Sequence, residues 1–257
     1  MSTLSLIFTA LFYVSSIIFV IGMTRKIIQY WVTPAPLKIP IAPTPLTKTG
    51  VVMRIIREVT LFESLFKSSK WTWVFGWLFH LGLLLVLIRH IRYFWPGDLP
   101  EIFLLVQPFK YGAFAMVIGL IGLMGRRIFV DRVRYISAPS DYLMLLLLLI
   151  IGISGAVMTF TANHTDVIMV KEFASGLITF NWSELPTDLQ FLVHIFLVFV
   201  LVAIFPISKL LHVPGVFFSP TRNQVDDARK KRHISPWALE QEKENEVRLD
   251  QTIGKDL

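Results

Sequence analysis

Four of the six histidines in the chain fall into two pairs inside strongly apolar stretches, His80 with His90 and His194 with His212. An ionisable ring in hydrocarbon is costly and usually functional, and imidazole is the commonest metal ligand among side chains. Two pairs on two spans supply four axial ligands, enough for two six-coordinate haem irons. The pattern predicts a membrane cytochrome with two b haems. Bis-histidine ligation fills both axial positions, so such a haem passes single electrons and binds no substrate at iron; no side chain is assigned a bond-making role. A second reading has the same four as core histidines bonded to neighbouring helices, with no metal. A proton relay is a third, but the spans carry almost no Asp or Glu to exchange protons with. His164 and His233 read as ordinary surface histidines.

Charged residues next to these rings extend the reading. Arg89 and Arg92 flank His90, and a guanidinium pairs well with a haem propionate; the alternative is that both reach out to lipid headgroups. On the other side Lys209, Arg126 and Arg127 are candidates for the second pair of propionates, or plain anchors to that membrane surface. Lys110, with Gln107 a turn before it, lies where a lysine can donate to a quinone carbonyl, or it simply reaches the interface. Glycines 112, 119 and 122 are placed as helix-packing positions.

These residues need helices that cross a bilayer, and composition supports that. The chain is 54% hydrophobic and 17% charged, more apolar surface than one soluble core of 257 residues can hide. It has no cysteine, so it holds no Cys-ligated iron–sulfur cluster and no disulfide, and lacks the CxxCH that attaches a c-type haem. Any haem is bound non-covalently. Five stretches reach the roughly 20 residues needed to cross about 30 Å of hydrocarbon. They run over Leu4–Met23, Trp71–Trp95, Ile102–Gly125, Tyr142–Ala162 and Leu189–His212. The first lacks a basic segment before its apolar run and is expected to remain as an uncleaved helix. The fold expected is an all-α integral membrane bundle of five transmembrane helices over 1–212, followed by a charged tail over 213–257.

Lysine and arginine set the expected orientation. Residues 25–70 carry eight of them, 126–134 four and the tail eight, whereas the opposite side has Arg89, Arg92, Lys110 and Lys171. The positive-inside rule puts the N-terminus outside and the C-terminus in the cytoplasm, and makes the basic charge topological rather than a nucleic-acid footprint. The expected location is a bacterial inner (cytoplasmic) membrane. The loop 25–70 starts with a proline-rich piece, TPAPLKIPIAPTPLTKTG, that favours extended chain. It continues as VVMRIIREVTLFESLF with apolar residues at helical spacing, suited to the membrane surface or to a soluble partner. The mixed-charge tail reads as a solvated, partly disordered face.

Depth decides the pairing of ligands. The second and fifth spans run antiparallel, so His90 and His194 fall toward the outer surface and His80 and His212 toward the inner one. The predicted outer haem takes His90/His194 and the inner haem His80/His212. The spacings do not match: ten residues rise about 15 Å along a helix and eighteen about 27 Å. Pro206, between the fifth-span ligands, can kink that helix and absorb part of the difference.

The spacings of ten and eighteen, on the second and fifth of five spans, resemble those of the respiratory nitrate reductase gamma subunit family. So do FHLGLLLVLIRH at 79–90, RRIFVDRVR at 126–134 and FPISKLLH at 205–212, and Lys110 matches that family's quinone-site lysine. Arg89 departs from the pattern, since the family has a glycine there. Within this resemblance, TPAPLKIP at 33–40, FESLFKSSKWTWVFGWLFH at 62–80, DRVRYISAPSDYLM at 131–144 and VFFSPTRNQ at 216–224 look like the cytochrome b subunits (DsrM) of DsrMKJOP complexes. That resemblance implies electron exchange between quinone and DsrK, a cytoplasmic iron–sulfur protein. DsrJ, DsrO and DsrP would share the assembly, and the sulfur carrier DsrC would be the ultimate partner in dissimilatory sulfur metabolism. A nitrate reductase-type gamma subunit and a non-redox membrane anchor are the alternatives.

Overall fold

The computed structural model describes residues 1–34, 44–95, 100–161, 165–226 and 235–253. Most of the TPAPLKIP segment, His164, His233 and the basic run before His233 lie outside the described residues. In chain order the helices are α1 (Thr3–Val32), α2 (Lys48–Leu61), α3 (Glu63–Ser68), α4 (Lys70–Phe94), α5 (Ile102–Leu105), α6 (Gly112–Phe129), α7 (Asp131–Tyr135), α8 (Pro139–Phe160), α9 (Val167–Thr179), α10 (Leu189–Ile204), α11 (His212–Phe218), α12 (Pro220–Asn223) and α13 (Pro236–Ile253). Short 3-10 turns occupy Gln107–Tyr111, Phe205–Ile207 and Lys209–Leu211.

Among the described residues five stretches are long and apolar enough to span a bilayer: Thr3–Val32, Lys70–Phe94, Phe103–Phe129, Pro139–Phe160 and Leu189–Ile207. Ile17, Ile21, Leu84, Leu87, Ile121 and Leu143 point outward from them and stay exposed. Helices satisfy their own backbone groups, so such a belt is stable against lipid and would be unfavourable against water. The protein is a multi-pass, all-helical membrane protein. α1 starts at one face of the bundle, the first, and ends at the other, the second.

Close helix contact is made by small residues. A Cβ on Gly82 of α4 would lie 2.5 Å from the Met116 backbone nitrogen and 2.6 Å from the Gly112 carbonyl oxygen of α6. Gly119 of α6 meets the Phe79 nitrogen at 2.6 Å in the same way. Without side chains at these points the two backbones touch, and Phe79, Met116, Leu120 and Leu148 close a buried cluster around the contact. A second cluster joins α1, α9 and α10 through Phe8, Phe173, Leu177, Leu185, Phe191 and Phe199.

Two spans differ from the sequence expectation. The fifth was expected as one helix through His212, but α10 ends at Ile204, a 3-10 turn carries buried Pro206, and Ser208 is extended at φ −101°, ψ 172°. His212 opens a separate helix, α11. The physical reason is that Pro206 lacks the amide needed to continue the ladder and its ring crowds the preceding turn. Gly22 of α1 lets that ring in, since a Cβ there would lie 2.6 Å from the Pro206 Cβ. The third span is likewise interrupted by the 3-10 turn at Gln107–Tyr111, where Pro108 supplies no amide, so Lys110 precedes the main helix. After α10, Phe218 packs on Tyr30 and Trp31 at 5.7 and 6.3 Å, and Pro236–Ile253 is helical.

Candidate functional site

α4 carries both His80 and His90, and the structure brings each to a different partner. The His80 and His212 rings have centroids 6.0 Å apart, with planes at 84°. His90 and His194 are 6.4 Å apart, with planes at 18°. The first pair lies toward the second face and the other toward the first. The interrupted fifth span makes this possible. Because α10 stops at Ile204 and the chain resumes as a separate helix at His212, the rise of about 27 Å for eighteen residues of one straight helix no longer applies, and the His212 ring reaches His80.

All four rings have one nitrogen committed. His80 Nδ1–H donates to the Gly76 carbonyl and His90 Nδ1–H to the Val86 carbonyl, each at 2.7 Å and one turn back on α4. His212 Nδ1–H donates to the Lys209 carbonyl at 2.9 Å. His194 instead reaches across to α8, where its Nδ1 lies 2.9 Å from Ser154 Oγ. That hydroxyl is 3.0 Å from the Ile151 carbonyl, which can only accept, so Ser154 donates to Ile151 and accepts from His194. Each ring thus keeps its proton on Nδ1 and leaves the Nε2 lone pair free. Metal-binding imidazoles are fixed in this way.

The spacing suits an iron between the rings. A metal–nitrogen bond of about 2.0 Å on each side, plus roughly 1.1 Å from nitrogen to centroid, would place the centroids of two imidazoles sharing one iron about 6.2 Å apart. Among the described residues no three His, Cys, Asp or Glu side chains converge on one point. The chain offers paired imidazoles, and a haem brings its own four equatorial nitrogens. The residues present fit the group.

Around the His90–His194 pair, Tyr93 packs its ring 5.7 Å from His90, and Arg92 lies over Tyr93 at 4.6 Å and donates to its hydroxyl at 2.6 Å. Arg92 Nε is buried with no hydrogen-bond partner among the described residues. A buried donor of this kind is costly, and a propionate carboxylate would satisfy it. Arg89 is engaged elsewhere: its Nη1 donates to the Gln107 carbonyl at 3.0 Å and contacts Gln107 Oε1 at 3.4 Å. It pins the turn that carries Lys110, whose Nζ lies 5.3 Å from the Tyr111 ring and 5.8 Å from the Phe160 ring.

Around the His80–His212 pair, Phe62 sets its ring 5.0 Å from His80. Phe62 joins α2 to α3 in the left-handed region at φ 51°, a conformation that costs an ordinary side chain about 1–2 kcal/mol. Trp73 and Trp77 donate to the Leu61 and Thr60 carbonyls and hold that corner against α4. Two of the three cations expected on this side, Lys209 and Arg127, face a carboxylate of the chain itself. Lys209 Nζ lies 2.7 Å and Arg127 Nη1 3.4 Å from the Asp141 carboxylate. Asp141, Ser154 and Phe62 escaped the sequence reading, since nothing in their local sequence marks them as neighbours of histidines 18 to 71 residues away. The DRVRYISAPSDYLM segment contains Asp141 and was noted only for its resemblance.

Residues 59–226 match the nitrate reductase gamma subunit family. The chain is 38% identical to an Hdr-like menaquinol oxidoreductase cytochrome b-like subunit of Archaeoglobus fulgidus, in an alignment covering 88% of this chain and 81% of that one. The corresponding subunit of Archaeoglobus profundus is 32% identical, with 92% and 84% covered. The respiratory nitrate reductase 1 gamma chain of Escherichia coli is 30% identical over 54% of this chain and 69% of its own length. With a match across most of its length, from the end of α2 to the segment after α12, the chain belongs to the nitrate reductase gamma subunit family.

Proposed function

We propose that the chain is the di-haem b subunit of a quinone-linked membrane complex. His90 and His194 hold one haem and His80 and His212 the other. Haem supplies reversible one-electron chemistry at iron. The observation that carries this reading is the two imidazole pairs with centroids 6.0 and 6.4 Å apart, each ring with its Nδ1 proton already bonded. His80 and His90 are ten residues apart on one continuous helix, about 15 Å of rise, which suits electron passage from one haem to the next. Residues 1–212 form the haem-binding domain, with the N-terminus and the His90–His194 pair on the outer side, an orientation that the Lys and Arg distribution supports. Arg92 then takes an outer propionate, and Lys110 contacts quinone on the turn that Arg89 ties to the end of α4.

On the cytoplasmic side, the loop 25–70 and the tail receive an iron–sulfur partner of the DsrK type. DsrJ, DsrO and DsrP stand in the same assembly, and DsrC is the eventual redox partner in dissimilatory sulfur metabolism. The archaeal relatives, Hdr-like menaquinol oxidoreductase subunits, support quinol as the membrane substrate and a heterodisulfide reductase-like partner. The Escherichia coli relative favours a second reading, a gamma subunit serving a nitrate reductase-type enzyme. A reduced-minus-oxidised spectrum of the full chain in membranes, with haem quantified per polypeptide, tests the core of the proposal. About two b haems per chain are expected, and none would leave a non-redox anchor. Replacing His90 or His194 by alanine should remove one haem, and His80 or His212 the other. Co-purification then separates the partners: a DsrK-like protein supports the first, a molybdenum enzyme the second.

A further inference from the structure

We propose that Asp141 is a positioning residue for His212, acting through Lys209; this rests on His212 as a haem ligand. Of the four histidines, His212 alone lies outside the five spanning stretches. The ladder of α10 ends at Ile204, and after extended Ser208 no backbone bond of that helix reaches the ring. Its Nδ1–H donates to the Lys209 carbonyl, so the ring follows wherever the turn Lys209–Leu211 goes.

The Lys209 side chain ties that turn to the bundle. Its ammonium lies 2.7 Å from Asp141, whose side chain is 4% exposed at the start of α8. The carboxylate is itself held. It accepts from the Ala138 amide at 3.1 Å and from Arg127 at 3.4 Å, and Arg127 also donates to Ser137 Oγ at 2.8 Å. Tyr142, the next residue of α8, donates to the Arg127 carbonyl at 3.1 Å. One carboxylate therefore joins the ends of α6 and α8 to the turn that presents His212. A buried carboxylate with two cationic neighbours has a reason to be there when the segment it fastens must hold a ring to within a few tenths of an ångström. The His90–His194 pair needs no such strut, since both rings stand on continuous helices.

The test uses the full chain in native membranes, with each haem followed by redox titration and low-temperature EPR. Asp141→Asn and, separately, Lys209→Met should weaken retention of the His80–His212 haem about tenfold or shift its signal and potential, with the His90–His194 haem unchanged. Lys209→Arg should restore it. Wild-type behaviour of that haem in both variants would overturn the proposal. So would equal loss of both haems, which would make the cluster a general folding element. A wild-type chain without haem would overturn the ligand assignment beneath it, and the same spectra report that separately.

Discussion

Alanine in place of Gly82 should push α4 and α6 apart and disturb both proposed haem sites at once. The added Cβ would lie 2.5 Å from the Met116 nitrogen, whereas ordinary contact begins at 3.4 Å, so about 0.9 Å of separation is needed. Both opposing atoms belong to helix backbone and cannot rotate away. Overpacking of this kind costs about 3 kcal/mol, and the better helix propensity of alanine returns about 1 kcal/mol. The net loss of about 2 kcal/mol is roughly a 30-fold change in the folding equilibrium. His80 and His90 ride on the displaced helix while His194 and His212 do not. A shift of about 0.9 Å far exceeds the roughly 0.2 Å tolerance of a metal–ligand bond. Gly125→Ala is the control on the same helix pair, since its Cβ would meet only the Phe129 ring edge at 3.9 Å. Heating the detergent-solubilised chain while recording helicity and b-type absorption measures both effects. Gly82→Ala is expected to unfold earlier, with both haem signals broadened or lost, and Gly125→Ala to match or exceed wild type. Equal behaviour of the two variants would refute the backbone-contact argument.

The other predictions concern single groups. Ser154→Ala removes the acceptor of His194 Nδ1–H, leaving a less basic ligand, so the potential of the His90–His194 haem should rise with the other unchanged; redox titration decides, and equal shifts would count against it. Lys110→Ala should slow reduction by quinol analogues in stopped-flow measurements with both haem spectra intact, and a normal rate would make Lys110 an interface anchor only. With haem bound, ring planes at 84° would leave two iron d orbitals nearly degenerate and planes at 18° would split them, so the His80–His212 site should give the more anisotropic EPR signal. Hydrogen bonds from the Ser5 hydroxyl and the Ser2 amide hold the Glu184 carboxyl down from its usual 4.5 to about 2. A depressed folded-state value means its stabilisation is complete above about pH 4.5 and lost as pH falls through about 2. The heat-stability deficit of Glu184→Gln should therefore be present near neutral pH and vanish in strong acid.

The spans, the all-helical class and the histidines at their depths were legible because each is a local property. Hydropathy over twenty residues chooses the solvent of a segment whatever it packs against, and a ring in hydrocarbon announces itself by type alone. The pairing of His80 with His212 and His90 with His194 followed from antiparallel neighbours, and the structure brings those same rings together. Pro206 was visible as a kink, but not that the helix would stop and restart at His212. That depended on Gly22 of α1, 184 residues earlier in the chain, leaving room for the proline ring. The roles of Lys209, Arg127 and Ser154 were beyond the sequence for the same reason. A lysine near a helix end reads as an anchor until the fold sets a buried carboxylate 2.7 Å away, and a serine in an apolar run reads as filler until a histidine from another helix reaches it. Residue type and spacing determined what chemistry the chain can hold. Tertiary contact alone decided which polar groups hold it in place, because hydrogen bonds and ion pairs act over about 3 Å and only the fold brings distant residues that close.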